Sequence, residues 1–184
     1  MILLRHTRPR GSEGLCYGRS ELELDAGFEA HAARILAALP SVGRVVSSPR
    51  TRCLRLAERI ARERDLELRV DGRVAEMDFG RWEGQHWDEI PRGELDAWAA
   101  DFQNARPHGG ESVAMLAARV GAALDDARPE VPPALWVTHS GVARAVCAAL
   151  DHREGWDTAL GFGAWLDMRA AAPQPSSQNF SIER

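Results

Sequence analysis

The sequence predicts an α/β domain with a mainly parallel central sheet. Short apolar runs alternate with segments of helical period along the chain, and alternation of that kind folds as a sheet with helical crossovers. Helix-start residues follow directly on two of the strand candidates, at Ser48-Pro49 and at Ser140. No internal repeat or interior low-complexity linker interrupts the pattern, and 184 residues suit a single domain over 1–184.

Taken in order, Ile2-Leu3-Leu4 is short and apolar and reads as a buried first strand. A helix is expected over residues 27–39, ending before Pro40, where the ring would break it. Arg44-Val45-Val46 is the second strand. Ser48 then supplies an N-cap, and Pro49 a first-turn proline, for a helix reaching about residue 64. Residues 66–70 read as a third strand, followed by an irregular stretch that contains 76–84. Helical patterns recur over 93–103 and 111–127. Residues 134–137 form a fourth strand, and Ser140 caps a helix ending near Leu150. Residues 163–168 are a further strand; 170–178, rich in Ala, Pro and Ser, read as a loop, and 179–183 as a last strand.

Hydrophobic residues make up 45% and charged residues 27% of the chain, the balance of a globular protein. No apolar run approaches the roughly 20 residues that a membrane helix needs. No charged-then-apolar leader precedes Ile2 either, so a cytoplasmic protein without membrane partners is expected. A net charge of −4 argues against a nucleic-acid partner. Every basic residue is an arginine, which reflects composition, so only position can single out a functional one. Cys16, Cys53 and Cys147 are odd in number and lack a CxxC pair, which speaks against a disulfide framework or a cysteine zinc site. His31, His86, His108 and His152 stand at no ligand spacing and read as structural or exposed.

Polar residues fall at the strand ends. Arg5-His6 follows the first strand, Arg52 lies early in the helix after the second, and His139 follows the strand Trp136-Val137-Thr138. Ligands of parallel α/β sheets bind outside the carboxyl ends of the strands, where helix N-termini present free N–H groups. Two imidazoles and two guanidinium groups are therefore expected on one edge. A neutral imidazole can attack phosphorus to form a phosphohistidine, guanidinium forks stabilise the equatorial oxygens of a transferring phosphoryl group, and a second histidine adds a donor. Glu76, after the third strand, is placed to protonate a leaving group; Asp78 and Glu83 are its rivals.

Leu4-Arg5-His6 together with Val137-Thr138-His139-Ser140-Gly141 resembles the histidine phosphatase superfamily, which includes cofactor-dependent phosphoglycerate mutase. Ser47-Ser48-Pro49-Arg50-Thr51-Arg52 is similar to its serine-proline-x-x-arginine segment. Glu76 to Gly84 is similar to its acid-bearing loop, and Gly109-Gly110-Glu111-Ser112 to its Gly-Glu-Ser element. The resemblance implies a three-layer α/β/α sandwich that needs no metal and no cofactor, with a small phosphorylated metabolite as partner. It implies His6 as the phosphorylated residue and Arg5, Arg52 and His139 as its phosphate pocket. Glu76 becomes the proton donor and then the base for the hydrolytic water. Ser140, Arg8, Arg19 and Glu111 are candidate substrate contacts, as is Arg144.

The family's commonest opening, Arg-His-Gly-Glu, is replaced by Arg5-His6-Thr7-Arg8-Pro9. That opening, with Cys16-Tyr17-Gly18-Arg19 and the loop Phe79 to Gly84, is similar to the alpha-ribazole phosphatase branch. A phosphoglycerate mutase-type transfer and a non-catalytic phosphate-binding module on the same fold are the alternatives; a metallohydrolase is disfavoured by the lack of ligand spacing. Trp82, Trp87 and Trp98 could line a pocket for a flat base, although packing is the expected use of such residues.

Overall fold

Three of the strands are buried at nearly every position because both of their faces are covered. They are β1 (Ile2–Arg5), β2 (Arg44–Ser47) and β4 (Ala134–Thr138), and with β3 (Leu68–Val70) and β5 (Trp165–Asp167) they form one sheet in the order β3-β2-β4-β1-β5. The computed structural model describes residues 1–127, 131–152 and 154–169; the loop and strand expected over 170–183 lie outside them. β1 to β4 run parallel, and β5 pairs antiparallel with β1 at the edge.

Alternate strand residues face opposite layers. Ile2, Leu4, Val45, Leu135 and Val137 pack against helices α1 (Phe28–Ala38) and α2 (Thr51–Arg64). Leu3, Val46 and Trp136 pack instead against α4 (Val113–Asp125) and α5 (Ser140–Ala149), so the chain is a three-layer α/β/α sandwich. The remaining helix, α3 (Arg92–Ala100), buries none of its own residues. In α2 the buried positions Cys53, Leu56, Ala57, Ile60 and Ala61 recur at helical spacing and form one stripe. Ile60 is fully enclosed, and truncating it to Ala would cost about 2–5 kcal/mol. Arg64 at the end of α2 donates to the carbonyls of Leu36, Leu39 and Pro40, which satisfies the C-terminus of α1.

The helix starts differ from the expectation. α2 begins at Thr51 rather than at Ser48-Pro49, with Arg50 as its cap residue; the Ser48 hydroxyl accepts the Arg50 N–H at 3.3 Å and so closes the turn before the helix. His139, not Ser140, is the cap residue of α5. α4 starts at Val113 under a cap from Ser112, whose hydroxyl accepts the Met115 N–H at 3.2 Å, so Glu111 lies before the helix. Asp101 stops α3 short of residue 103 by taking the Asn104 N–H and side-chain amide. Among the described residues no helix is long and apolar enough to cross a membrane.

Candidate active site

Because β1, β2 and β4 are parallel, their carboxyl ends deliver Arg5-His6, Ser48 and His139 to one edge of the sheet. The antiparallel β5 starts at that same edge. Its approach is fixed by Gly163, whose N–H bridges the carbonyls of Arg5 and His6 at 3.1 Å, and by Arg5 N–H donating to Ala164 at 3.0 Å. The N-terminus of α5 points there as well.

Nδ1 of His6 lies 2.7 Å from the Thr7 carbonyl oxygen. A carbonyl only accepts, so Nδ1 carries the ring proton and Nε2 keeps a lone pair. The ring is 1% exposed. Burial, reinforced by the charges of Arg52 and Arg5, lowers its pKa to about 3, so the imidazole is neutral. His139 stands edge-on to it with ring centroids 5.1 Å apart. That second ring is fully buried, with Nε2 2.8 Å from the Ser48 hydroxyl and 3.4 Å from the Cys53 sulfur. Burial first, then His6 and the two arginines, hold its pKa well below the ordinary histidine value.

Arg52 is fully buried early in α2. Its Nη1 donates to the Ser20 carbonyl at 2.8 Å and its Nη2 to Gly18 at 2.6 Å, while Nε has no partner. Arg5 donates through Nη1 to the Leu160 carbonyl at 2.8 Å and lies 3.8 Å above the Phe162 ring; its Nε is likewise unpartnered. So is the Thr7 hydroxyl. A buried donor without an acceptor costs about 1–3 kcal/mol, a cost that an anion reaching these groups would offset.

Glu76 is held at both oxygens, accepting the Met77 N–H at 2.9 Å and the Gly141 N–H at 3.1 Å. A Cβ on Gly141 would meet Oε1 of Glu76 at 2.2 Å, so position 141 must be glycine for the carboxylate to sit there. Beneath it, Arg119 of α4 donates to the carbonyls of Arg73, Ala75 and Glu76 and forms a two-pronged pair with Glu111. The rivals of Glu76 are engaged elsewhere: Glu83 accepts the N–H groups of Arg19, Ser20 and Phe79 and the Ser20 hydroxyl, and Asp78 takes the Gly80 N–H and the Arg19 guanidinium.

A cavity of about 560 Å³ opens beside His6 and Glu76. Arg5, His6, Glu76, Ser140 and Gly141 line it, as does Arg144, anchored by Nε on the Thr158 carbonyl at 3.1 Å. Five expected contacts are not on its wall: Arg52 and His139 are fully buried, and three more are turned elsewhere. Glu111 is a brace, its carboxylate held by Arg119 and the Asp78 N–H. Arg19 is exposed and turned to Asp78, and Arg8 is exposed with its guanidinium 5.1 Å from Phe162. The tryptophans divide. Trp82 is core, 1% exposed with its indole N–H on Glu94, whereas Trp87 and Trp98 line the cavity. His108 is structural, its Nδ1 accepting the Gly110 N–H at 3.0 Å.

Sequence reasoning missed Tyr17, Trp156 and Phe162 as lining residues and Arg119 as the support of Glu76. Only Phe162, just before a strand that starts at the site edge, carried a local signal. Among the described residues no three or more His, Cys, Asp or Glu side chains gather to hold a metal ion.

The family model of the histidine phosphatase superfamily (branch 1) matches residues 1–165. The probable phosphoglycerate mutase GpmB of Escherichia coli is 30% identical over 178 residues, which span 92% of this chain and 78% of that one. A phosphoglycerate mutase from Thermus thermophilus superposes with a TM-score of 0.73 at 33% identity over 89% of each chain. The alpha-ribazole phosphatase of Shigella flexneri superposes at 0.78 over 100% of this chain and 98% of its own; at 23% identity the likeness is one of fold.

Proposed function

The chain belongs to the histidine phosphatase superfamily, branch 1, and from that premise we propose that it is a phosphomonoester hydrolase acting through a phosphohistidine on His6. The observation that carries the reading is the Thr7 carbonyl on Nδ1 of His6, which leaves Nε2 as the nucleophile in a ring kept neutral by burial.

Nε2 attacks phosphorus, the new P–N bond forms, and the ester P–O bond breaks. Arg5 and Arg52, each with an unpartnered Nε–H, hold the equatorial oxygens together with His139 and the free N–H of the α5 N-terminus at Ser140. Glu76 gives its proton to the departing alkoxide. As a carboxylate it then takes a proton from water, whose oxygen attacks phosphorus, and the P–N bond breaks to release inorganic phosphate and free His6. The positive charge gained by the ring in the first step is stabilised by the Thr7 carbonyl. The scheme needs neither metal nor cofactor, and its partner is a small phosphorylated metabolite, with alpha-ribazole 5′-phosphate a candidate.

Transfer between hydroxyls of a phosphoglycerate is a second reading. Arg144 favours it, since a guanidinium on the cavity wall could hold a carboxylate. Incubation of wild type and His6→Ala with alkyl phosphates and phosphoglycerate, in chelator, separates the readings. The hydrolase reading expects inorganic phosphate from wild type and none above background from the variant. Equal turnover by the two proteins contradicts it, and isomerised phosphoglycerate without free phosphate favours transfer.

A further inference from the structure

We propose that the part of the substrate beyond its phosphate is a flat, uncharged aromatic ring system, which rests on the phosphomonoesterase reading and names the substrate class of that site. Among the described residues the charged side chains on the cavity wall are Arg5 and Glu76, beside the neutral His6 at the reacting end, and Arg144. Much of the remaining wall is aromatic. Trp87 and Trp98 lie nearly parallel, 17° apart with centroids at 6.5 Å. Trp98 contacts Phe102 at 5.9 Å, and Phe102 contacts Trp156 at 5.8 Å, so the rings form one continuous belt. At the reacting end Phe162 stands 5.5 Å from the His6 ring.

The belt is core on one side only: Trp87, Trp98 and Trp156 pack against the buried clusters and also line the cavity. Trp82, the neighbouring core residue, is sealed, but Phe102 remains 37% exposed and α3, which carries Trp98, buries none of its own residues. That helix is instead anchored through Glu94, bound by the Trp82 indole and the Arg81 guanidinium. Two chain regions, the segment from Trp87 to Phe102 and the 3-10 turn Gly155–Asp157, thus present ring surface to the same space. A polyhydroxylated group entering the space beside these rings would lose hydration for few replacement hydrogen bonds. A flat ring loses little hydration and gains face and edge contacts.

The test compares kcat/KM for phosphate esters of primary alcohols: naphthylethyl, cyclohexylethyl and ethyl phosphate, and phosphoglycerate. Naphthylethyl phosphate is expected to exceed ethyl phosphate and phosphoglycerate by roughly tenfold or more, with cyclohexylethyl phosphate between them. Trp98→Ala and Trp156→Ala should shrink the naphthylethyl-to-ethyl ratio, mainly through KM. A wild-type ratio near one, equal use of the cyclohexyl and naphthyl esters, or a preference for phosphoglycerate overturns the aromatic assignment while leaving the hydrolase reading intact. Hydrolysis of none of the esters removes the hydrolase reading and the assignment with it. The wild-type ranking decides even if a variant fails to fold.

Discussion

One carboxylate oxygen of Glu76 accepts the Gly141 N–H at 3.1 Å, which ties the loop after β3 to the first turn of α5. The contact sets a carboxylate on the wall of the cavity that His6 also lines. A Cβ at position 141 cannot coexist with it, because Oε1 would lie 2.2 Å away. Gly141→Ala should therefore displace the acid without touching the nucleophile. Turnover of alkyl phosphates should fall roughly 10²-fold or more, and of nitrophenyl phosphate much less, since that leaving group departs without a proton. Glu76→Gln should give the same split. Steady-state rates with both esters check this, and equal losses on the two would contradict the role given to Glu76.

Arg119 acts on Glu76 through the backbone. Its guanidinium joins the carbonyls of Arg73, Ala75 and Glu76 to the Glu111 carboxylate. Arg119→Met is expected to lower kcat with KM little changed, and to cost about 2 kcal/mol of stability from lost charged hydrogen bonds. Arg119→Lys should restore little, because a point charge cannot span a planar fork. Alkyl and nitrophenyl esters again distinguish the cases: a loss of kcat equal on both would mark Arg119 as merely structural.

Burial keeps His6 neutral in the folded chain, with its pKa lowered from 6.5 to about 3. In the unfolded chain the ring takes up a proton below its ordinary pKa, and the folded ring does not until about pH 3. The stability contributed by the neutral ring is thus complete above pH 6.5 and is lost as pH falls through that window, at about 1.4 kcal/mol per pH unit. His139 adds in the same direction. Urea unfolding at about pH 7.5 and about pH 5 should show wild type losing about 2 kcal/mol more than His6→Gln. Equal losses would show that the ring is solvated.

The strand ends were legible in the sequence because the change from apolar run to polar residue is local: Ile2 to Leu4 before Arg5-His6, and Trp136-Val137-Thr138 before His139. With the alternation of elements, that was enough to gather the site on one edge. What failed was whatever a distant partner decides. Ser48 is a local cap candidate and does accept the Arg50 N–H, but its hydroxyl also meets His139, 91 residues away, which no local pattern announces. Arg19 and Glu111 were read as substrate contacts, yet Asp78 and Arg119 satisfy them. Arg119 itself lies in the middle of a helix, 43 residues from the carbonyl of Glu76, and nothing in its neighbourhood announces the link. Phe162 becomes a wall of the site only because β5 runs antiparallel.

The most direct test of the central claim is rapid mixing with a phosphate ester, an alkaline quench and mapping of the phosphorylated peptide. The account predicts one phosphoryl group on Nε2 of His6, formed and lost no slower than turnover and absent from His6→Ala. A phosphoryl group on His139, or turnover that persists with no phosphorylated His6 at any mixing time, would contradict it.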